Sequence, residues 1–204
     1  DVQVPGSIGY DTDGDGVNDT FVGITSNAGK ADINGVEWEG QAILADDLGR
    51  DGSQFRFGWA VGYIDADYKE YIDAFGNDVA DERVFQNTPK WTATGTFTYE
   101  VPVNLFNTPG LFSVITSLAY RDDTSQFEVP NPFLDQPSYT LWDLSLIWSQ
   151  DSGNWSAGIH AKNLGDKEYK VAGYFFPNLG LENNITAFYG NPRQVWATVQ
   201  YNWF

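Results

Sequence analysis

Apolar and polar residues alternate along much of the chain with a period of two. In the segment 91–101, Trp91, Phe97 and Val101 share one face, and the positions between the residues of that face are all Thr or Glu. A helix repeats every 3.6 residues and could not sort residues in this way, so the pattern predicts a β-strand with one apolar and one polar face. The same alternation predicts six further strands, at 36–44, 55–63, 112–120, 142–148, 155–161 and 195–203.

Aromatic residues fall at the ends of these apolar faces, as with Phe112 and Tyr120, or Trp142 and Trp148. A soluble β-sandwich or a lipocalin-like barrel would mix aromatic residues at all depths of its core. Membrane barrels place them in two girdles at the membrane boundaries. The opposite faces carry Glu, Gln, Thr, Lys and Arg, which suits a wet lumen. The sequence therefore predicts an antiparallel transmembrane β-barrel wall, an all-β fold.

The segments between the predicted strands alternate in length. Outer-membrane barrels connect their strands by short periplasmic turns and long external loops in turn. The alternation predicts a last strand that runs down and ends on the periplasmic side. The predicted short connectors are 46–53, 102–110 and 150–154, and the long ones are 66–88, 122–138 and 165–190.

Composition excludes several classes of protein. The 204-residue chain has a net charge of −17, which argues against nucleic acid, because phosphate binding requires Lys and Arg. It has no cysteine, so a thiolate nucleophile, a disulfide framework and a Cys-ligated zinc are excluded. There is no apolar run of about 18 residues that would form a membrane-spanning helix. Since the chain starts at Asp1, we expect a processed product or a piece of a longer protein.

Several motifs, in order, resemble the C-terminal third of TonB-dependent outer-membrane receptors. Residues 27–37 resemble the family's loop that leads into a Gly-x-Glu strand, and 190–193 resemble the Gly-x-Pro-Arg that opens the last strand. Residues 163–169 resemble its Asn-Leu-Phe-Asp-Lys-x-Tyr motif, with Gly165 in place of Phe. The chain then ends in the aromatic residues that the family uses as a barrel-assembly signal, here Tyr201, Trp203 and Phe204. Tyr201 and Trp203 keep the usual spacing, and Phe204 lies one residue beyond it.

The resemblance implies a barrel of 22 strands, of which this chain would supply about seven or eight. The segment 1–4 would be the end of the eighth strand. Residues 1–204 are then the C-terminal part of a receptor barrel, with the plug domain and the N-terminal strands elsewhere. The alternative is a small eight-stranded barrel that closes on itself, which the short first strand disfavours.

The resemblance further implies a function in the outer membrane of a Gram-negative bacterium. Such a receptor takes up a scarce nutrient, of the siderophore, cobalamin or oligosaccharide class, with energy that TonB transmits. The implied partners are outer-membrane lipid and lipopolysaccharide, the rest of the barrel, the plug, the TonB complex through the plug, and the small-molecule nutrient. The alternative is a barrel without transport activity that serves as a structural anchor or adhesin.

The residues give no support for an enzyme, so we expect no catalytic residue and no organic cofactor. His160 is the only histidine, and on the polar face of a strand it is predicted to be an ordinary hydrogen-bonding group. Glu37 and Glu39 are spaced like a carboxylate pair, but hydrolytic pairs need an enclosed site that raises one pKa.

One acidic motif near the start of the chain resembles a calcium loop. Asp11, Asp13 and Asp15 alternate, Gly16 stands at the sixth position and Asp19 at the ninth. Ca²⁺ binds six to eight oxygen ligands, which clustered Asp residues supply. Position twelve is Val22, which excludes a full EF-hand, and the alternative is a solvated turn, since Asp and Gly are common turn residues. The motif predicts Ca²⁺ as the one candidate ion, bound to order an external loop.

The first predicted long loop and the strand before it combine acids with aromatic residues. Tyr68, Tyr71 and Phe75 lie among seven Asp and Glu residues between positions 65 and 82. Aromatic rings stack on sugars or siderophores, so these three are candidates for a ligand-facing surface. The alternative is a surface that faces lipopolysaccharide, with divalent cations between the anions.

Overall fold

The structure is a computed structural model that describes residues 2–17, 20–73, 76–176 and 184–203. These residues form ten strands and one 3-10 turn, Ala80–Glu82. No helix in this part of the chain is long and apolar enough to cross a membrane. The strands are β1 Val2–Tyr10, β2 Thr20–Asp46, β3 Gln54–Tyr71, β4 Trp91–Leu105, β5 Thr108–Arg121, β6 Tyr139–Gln150, β7 Trp155–Lys162, β8 Lys170–Phe176, β9 Asn184–Tyr189 and β10 Gln194–Tyr201.

Eight strands form one antiparallel sheet in the order β1-β2-β3-β4-β5-β6-β7-β10. The other two, β8 and β9, form a separate hairpin inserted between β7 and β10. Each of the seven predicted strands is present, and the all-β antiparallel fold is confirmed. No pairing among the described residues joins β1 to β10, so this part of the wall is an open sheet.

The register places the predicted apolar faces side by side. Phe57 of β3 lies opposite Phe97 of β4, with ring centres 4.5 Å apart, and Phe112 lies opposite Trp148. Farther along the sheet, Trp155 lies opposite Tyr201. Because side chains alternate between faces, a slip by one residue would move a whole strand's apolar set to the polar side. The predicted division into two faces is therefore confirmed across β2 to β7 and β10.

The connectors between consecutive strands lie at two opposite ends of the sheet, which we name the short-turn end and the long-loop end. Connectors 47–53, 106–107 and 151–154 lie at the short-turn end, and 72–90, 122–138 and 163–193 lie at the long-loop end. The predicted alternation of connector lengths is confirmed. The prediction for 102–110 was too long, because both strands continue to a two-residue turn, and the loop predicted to start at 66 starts six residues later.

Two regions differ more from expectation. The short strand piece expected at 1–4 is a nine-residue strand, and it pairs only with the part of β2 between Thr20 and Gly29. Strand β3 pairs with β2 from Gly29 onward, so the described β1 and that part of β2 project beyond β3 as a hairpin. The predicted loop 165–190 contains strands β8 and β9. Their aromatic runs do not alternate with polar residues, which is why periodicity missed them.

The buried side chains lie mostly outside the wall. Leu134 is fully buried and Tyr71 is 7% exposed, and both lie at the long-loop end. The buried polar residues Thr124, Gln126 and Gln136 belong to the connector 122–138. The wall itself has two exposed faces, so the packed core of these residues is formed by the loops.

Candidate functional site

The polar face of the wall carries hydrogen bonds that run from strand to strand. Arg56 of β3 donates to Glu100 of β4 across 2.6 Å. The hydroxyl oxygens of Thr96 and Ser117 lie 2.8 Å apart between β4 and β5. Such pairs satisfy polar groups beside water and tie neighbouring strands together.

A hollow of about 580 Å³ opens on this polar face. Gln41, Gln54, Arg56 and Thr98 are among its lining residues. Glu39 lines a neighbouring hollow of about 510 Å³, and Glu37 and Glu39 are both exposed. These two acids therefore lie on an open surface without the enclosure of a hydrolytic pair.

His160 lies on the polar face, as predicted, between two hydroxyl groups. Its Nδ1 lies 3.0 Å from Ser145 Oγ and its Nε2 lies 3.0 Å from Thr198 Oγ1. Its ring stacks on Trp196, with centres 5.2 Å apart. The sequence did not predict this aromatic partner, because β10 was identified from its apolar face and Trp196 lies on the polar face. Both ring nitrogens are within hydrogen-bond distance of strand hydroxyls, which fits the predicted ordinary role.

At the long-loop end, Tyr71 fixes the connector 72–90 to the connector 122–138. Its hydroxyl donates to Glu128 Oε2 at 3.4 Å, and the Arg83 guanidinium lies 5.3 Å from its ring centre. Burial raises the pKa of the Glu128 carboxyl, although Tyr71 and Arg83 act in the opposite direction. The Val84 amide also donates to the Glu128 carbonyl at 2.9 Å. Tyr71 therefore belongs to the packing between two loops.

Tyr68 lies at the border of a cavity. Its ring stacks on Phe85 with centres 4.3 Å apart and planes inclined by 5°, so Phe85 covers one face of the ring. The adjacent cavity has a volume of about 680 Å³, and its lining includes Tyr68, Lys69, Asp81 and Arg83. Among the predicted ligand-facing residues that the structure describes, Tyr68 thus lines this cavity. Phe75 lies outside the described residues.

The connector 122–138 is also fixed to the β8–β9 hairpin. The Gln136 side-chain oxygen accepts from the Lys170 amide at 2.6 Å, and Lys170 Nζ donates to the Asp135 carbonyl at 2.8 Å. Leu134 packs so closely on Gly173 that a Cβ there would lie 2.6 Å from its methyl group. The aromatic residues on both sides of Pro177 and Gly180 are the feature of the sequence that could have predicted this hairpin.

The motif at 163–169 and the motif at 190–193 contact each other. The side-chain nitrogen Nδ2 of Asn163 donates to the carbonyls of Lys167 and Asn191, at 2.9 and 3.1 Å. Asp166 accepts from the Arg193 amide at 2.8 Å. The segment after β7 and the segment before β10 therefore form one joint, with the β8–β9 hairpin inserted between them.

The predicted calcium loop forms the turn between β1 and β2. Carboxylate oxygens of Asp11, Asp13 and Asp15 lie within 4.8 Å of one another. Asp11 accepts from the amides of Gly14 at 2.6 Å and Gly16 at 2.7 Å. These bonds favour the charged carboxylate, the Gly16 bond most, and hold the pKa of Asp11 below its ordinary value.

The three carboxylates are close enough to contribute ligands to one ion. They are exposed or half-buried, and their hydrogen bonds to the main chain also suit a turn without metal. The fourth predicted ligand, Asp19, lies outside the described residues. Calcium binding therefore stays a prediction.

The predicted assembly signal lies at the end of the last strand. Tyr201 is the last residue of β10, and its ring packs on Trp155 with centres 4.6 Å apart. Trp203 lies beyond the strand and meets Tyr201 edge-on at 4.8 Å. Phe204 lies outside the described residues.

Comparisons with known proteins agree on the kind of barrel. A family model described as TonB dependent receptor-like, beta-barrel matches residues 1–164. The crystal structure of the ferric yersiniabactin uptake receptor FyuA from Yersinia pestis matches with a TM-score of 0.68 and 20% sequence identity. The match covers 89% of this chain and 25% of that receptor, so the chain spans about a quarter of its length. At this identity the similarity to the receptor shows the fold.

Proposed function

The chain belongs to the TonB-dependent receptor β-barrel family, and from this premise we propose that it forms part of the wall and external loops of an outer-membrane nutrient receptor. The family is found in the outer membrane of Gram-negative bacteria and acts in transport. The proposed receptor binds a scarce nutrient of the siderophore, cobalamin or oligosaccharide class outside the cell. Energy transmitted by TonB then drives the import.

The two-faced sheet is the observation that carries this proposal. In lipid, every backbone polar group needs an internal partner, which antiparallel pairing supplies along the wall. The apolar face exposes large side chains such as Trp38, Ile159 and Val199, as a lipid-facing surface requires. The polar face presents the hydrogen bonds of Arg56 and His160, which suit a wet interior.

We also propose how this chain contacts the remaining parts of the receptor. Residues 1–204 would be the C-terminal part of the barrel, and its open edges would pair with the strands that complete the wall. The hollow at Arg56 and Gln41 supports contact of the polar face with the plug, which would in turn contact TonB. The acidic external loops would face lipopolysaccharide and the nutrient, and the cavity beside Tyr68 supports contact with a small molecule.

Uptake assays in the source bacterium test the proposal. Deletion of the gene that contains this chain should abolish energy-dependent uptake of one labelled ligand among a ferric siderophore, cobalamin and an oligosaccharide. The same deletion in a strain without TonB should have no additional effect. Reintroduction of the intact gene should restore uptake only where TonB is present.

The alternative, an anchor or adhesin, gives a different result in the same strains. Uptake of all three ligand classes would then be unchanged, while surface attachment or envelope integrity would suffer with or without TonB. That outcome would contradict transport and leave the barrel assignment intact.

A further inference from the structure

The turn between β4 and β5 holds an aromatic residue in an unusual conformation. Phe106 and Asn107 have φ angles of 49° and 61°, the left-handed values of a two-residue hairpin turn. Asn and Gly suit these positions, whereas a bulky side chain there is strained. Phe106 is also 93% exposed. Neither the turn geometry nor packing within the described residues accounts for a Phe at this position.

Between Glu100 and Arg121, the hairpin that carries this turn has no charged residue. The segment 101–120 contains no Asp, Glu, Lys or Arg, although the chain has 28 acidic and 11 basic residues. The neighbouring turns at the same end of the sheet are charged, with Asp47, Arg50 and Asp51 in one and Asp151 in the other. The absence of charge distinguishes the β4–β5 turn from these neighbouring connectors, whose charged residues suit contact with water.

The apolar face of the wall continues to this turn without interruption. Val101, Val103 and Leu105 follow one another on the same face of β4, and Leu105 is 42% exposed. The surface proposed to contact lipid therefore extends to the tip of the hairpin.

The length of β5 places the tip in the membrane boundary. From Tyr120 to Thr108, which pairs with Leu105, there are twelve residue steps (120 − 108 = 12). They span about 41 Å along the strand, or about 31 Å along the membrane normal at a tilt of about 40°. If Tyr120 lies at the external edge of an apolar band about 25 Å tall, the tip lies roughly 6 Å beyond the periplasmic edge of that band. The headgroup layer on each side of a bilayer is about 5–8 Å thick.

We propose that the β4–β5 turn is an interfacial anchor, with Leu105 and Phe106 inserted among the phospholipid headgroups of the periplasmic leaflet. The anchor rests on the proposed function, because it requires that the apolar face contacts lipid. Lipid contact gives the strained aromatic residue a favourable environment, since aromatic rings partition into the boundary region. It would fix the vertical position of the barrel at the short-turn end.

Site-directed spin labelling of the complete receptor in phosphatidylethanolamine and phosphatidylglycerol vesicles tests this. The chain lacks cysteine, so Phe106→Cys supplies a single labelling site in it. Val199→Cys, on the exposed apolar face, is the reference for lipid, and Ser152→Cys, in the charged turn, is the reference for water. Collision rates with oxygen and with a water-soluble nickel complex report the depth of each label.

The label at 106 is expected to collide with oxygen at least three-fold more often, relative to nickel, than the label at 152. Its ratio should lie between those of the two references. A ratio equal to that at 152, with a lipid-like value at 199, would overturn the anchor alone. Low collision rates with both reagents would mean a protein covers the turn, which also overturns it. A water-like value at 199 would instead contradict the proposed membrane wall.

Discussion

Three carboxylates in the β1–β2 turn are held by amides of the main chain. Asp11 accepts from Gly14 and Gly16, while Asp13 and Asp15 each accept from the amide two residues later. These short-range bonds bring the acids together without any buried partner. A calcium-binding loop and a turn without metal can both form these hydrogen bonds. The response of the turn to Ca²⁺ distinguishes the two.

The calcium prediction is tested by protease protection of residues 1–25. Ca²⁺ should slow cleavage of this segment in the unmutated receptor, and Asp13→Ala combined with Asp15→Ala should abolish the effect. Asp13→Asn with Asp15→Asn is the matched control, because the amides keep acceptors for the turn but lose the charge. The Asn variant should also lose the Ca²⁺ effect while its turn persists. Equal cleavage of the unmutated receptor with and without Ca²⁺ would refute the metal.

Glu128 gives a second prediction, on pH. Because burial raises its pKa in the folded loop, the contact between the loops is most stable below the ordinary pKa of Glu. Stability is then lost as the pH rises from that value through the raised pKa. Hydrogen-exchange protection of the Val84 and Asn87 amides, which donate to the Glu128 and Ser125 carbonyls, should therefore fall over this range.

Two variants of Glu128 separate charge from hydrogen bonding. Glu128→Gln keeps an acceptor for Tyr71 without the charge, so the two amides should stay protected and lose this pH dependence. Glu128→Ala removes the acceptor and should lower protection several-fold at every pH. If Glu128→Gln lowers protection as much as Glu128→Ala, the charge pairing with Arg83 dominates and the prediction is wrong.

At the scale of elements, alternation was enough to predict seven strands and their faces, because lipid and water impose a strict period of two on a barrel wall. It gave strand ends poorly, since β3 continues to Tyr71 through residues that alternate less clearly. It missed β8 and β9, which pair with each other and contact Leu134 and Gln136 of a distant connector. Tyr68 was predicted as a site residue from its neighbours in sequence, but its cavity depends on how the connector 72–90 packs on the end of β3.

Close packing between β2 and β3 gives a prediction for one element. A Cβ at Gly40 would lie 2.5 Å from the Trp59 ring, whereas one at Gly58 would meet only the Gly40 carbonyl at 3.8 Å. Gly40→Ala should therefore destabilise the wall by about 1–3 kcal/mol through overpacking. Gly58→Ala, the matched control, should be neutral or slightly stabilising. Urea unfolding of the refolded receptor measures both, and equal midpoints would show that Trp59 moves aside freely.

At the scale of the whole molecule, the wall and the loops depend on different forces. The wall exposes both of its faces, so its stability depends on lipid on one side and on the barrel interior on the other. The loops contain the packed residues, and connector 122–138 is bonded to both connector 72–90 and the β8–β9 hairpin. A ligand that displaces one of these segments would therefore act on all three.

The joint formed by Asn163, Asp166 and Arg193 has an evolutionary consequence. The Gly190 amide bonds to the Tyr169 carbonyl at 2.8 Å, so the two ends of the inserted hairpin already meet before the hairpin begins. A change of length between residues 170 and 189 therefore need not shift the register of β7 and β10. The length of this inserted segment can evolve while the strands β7 and β10 stay under separate constraint.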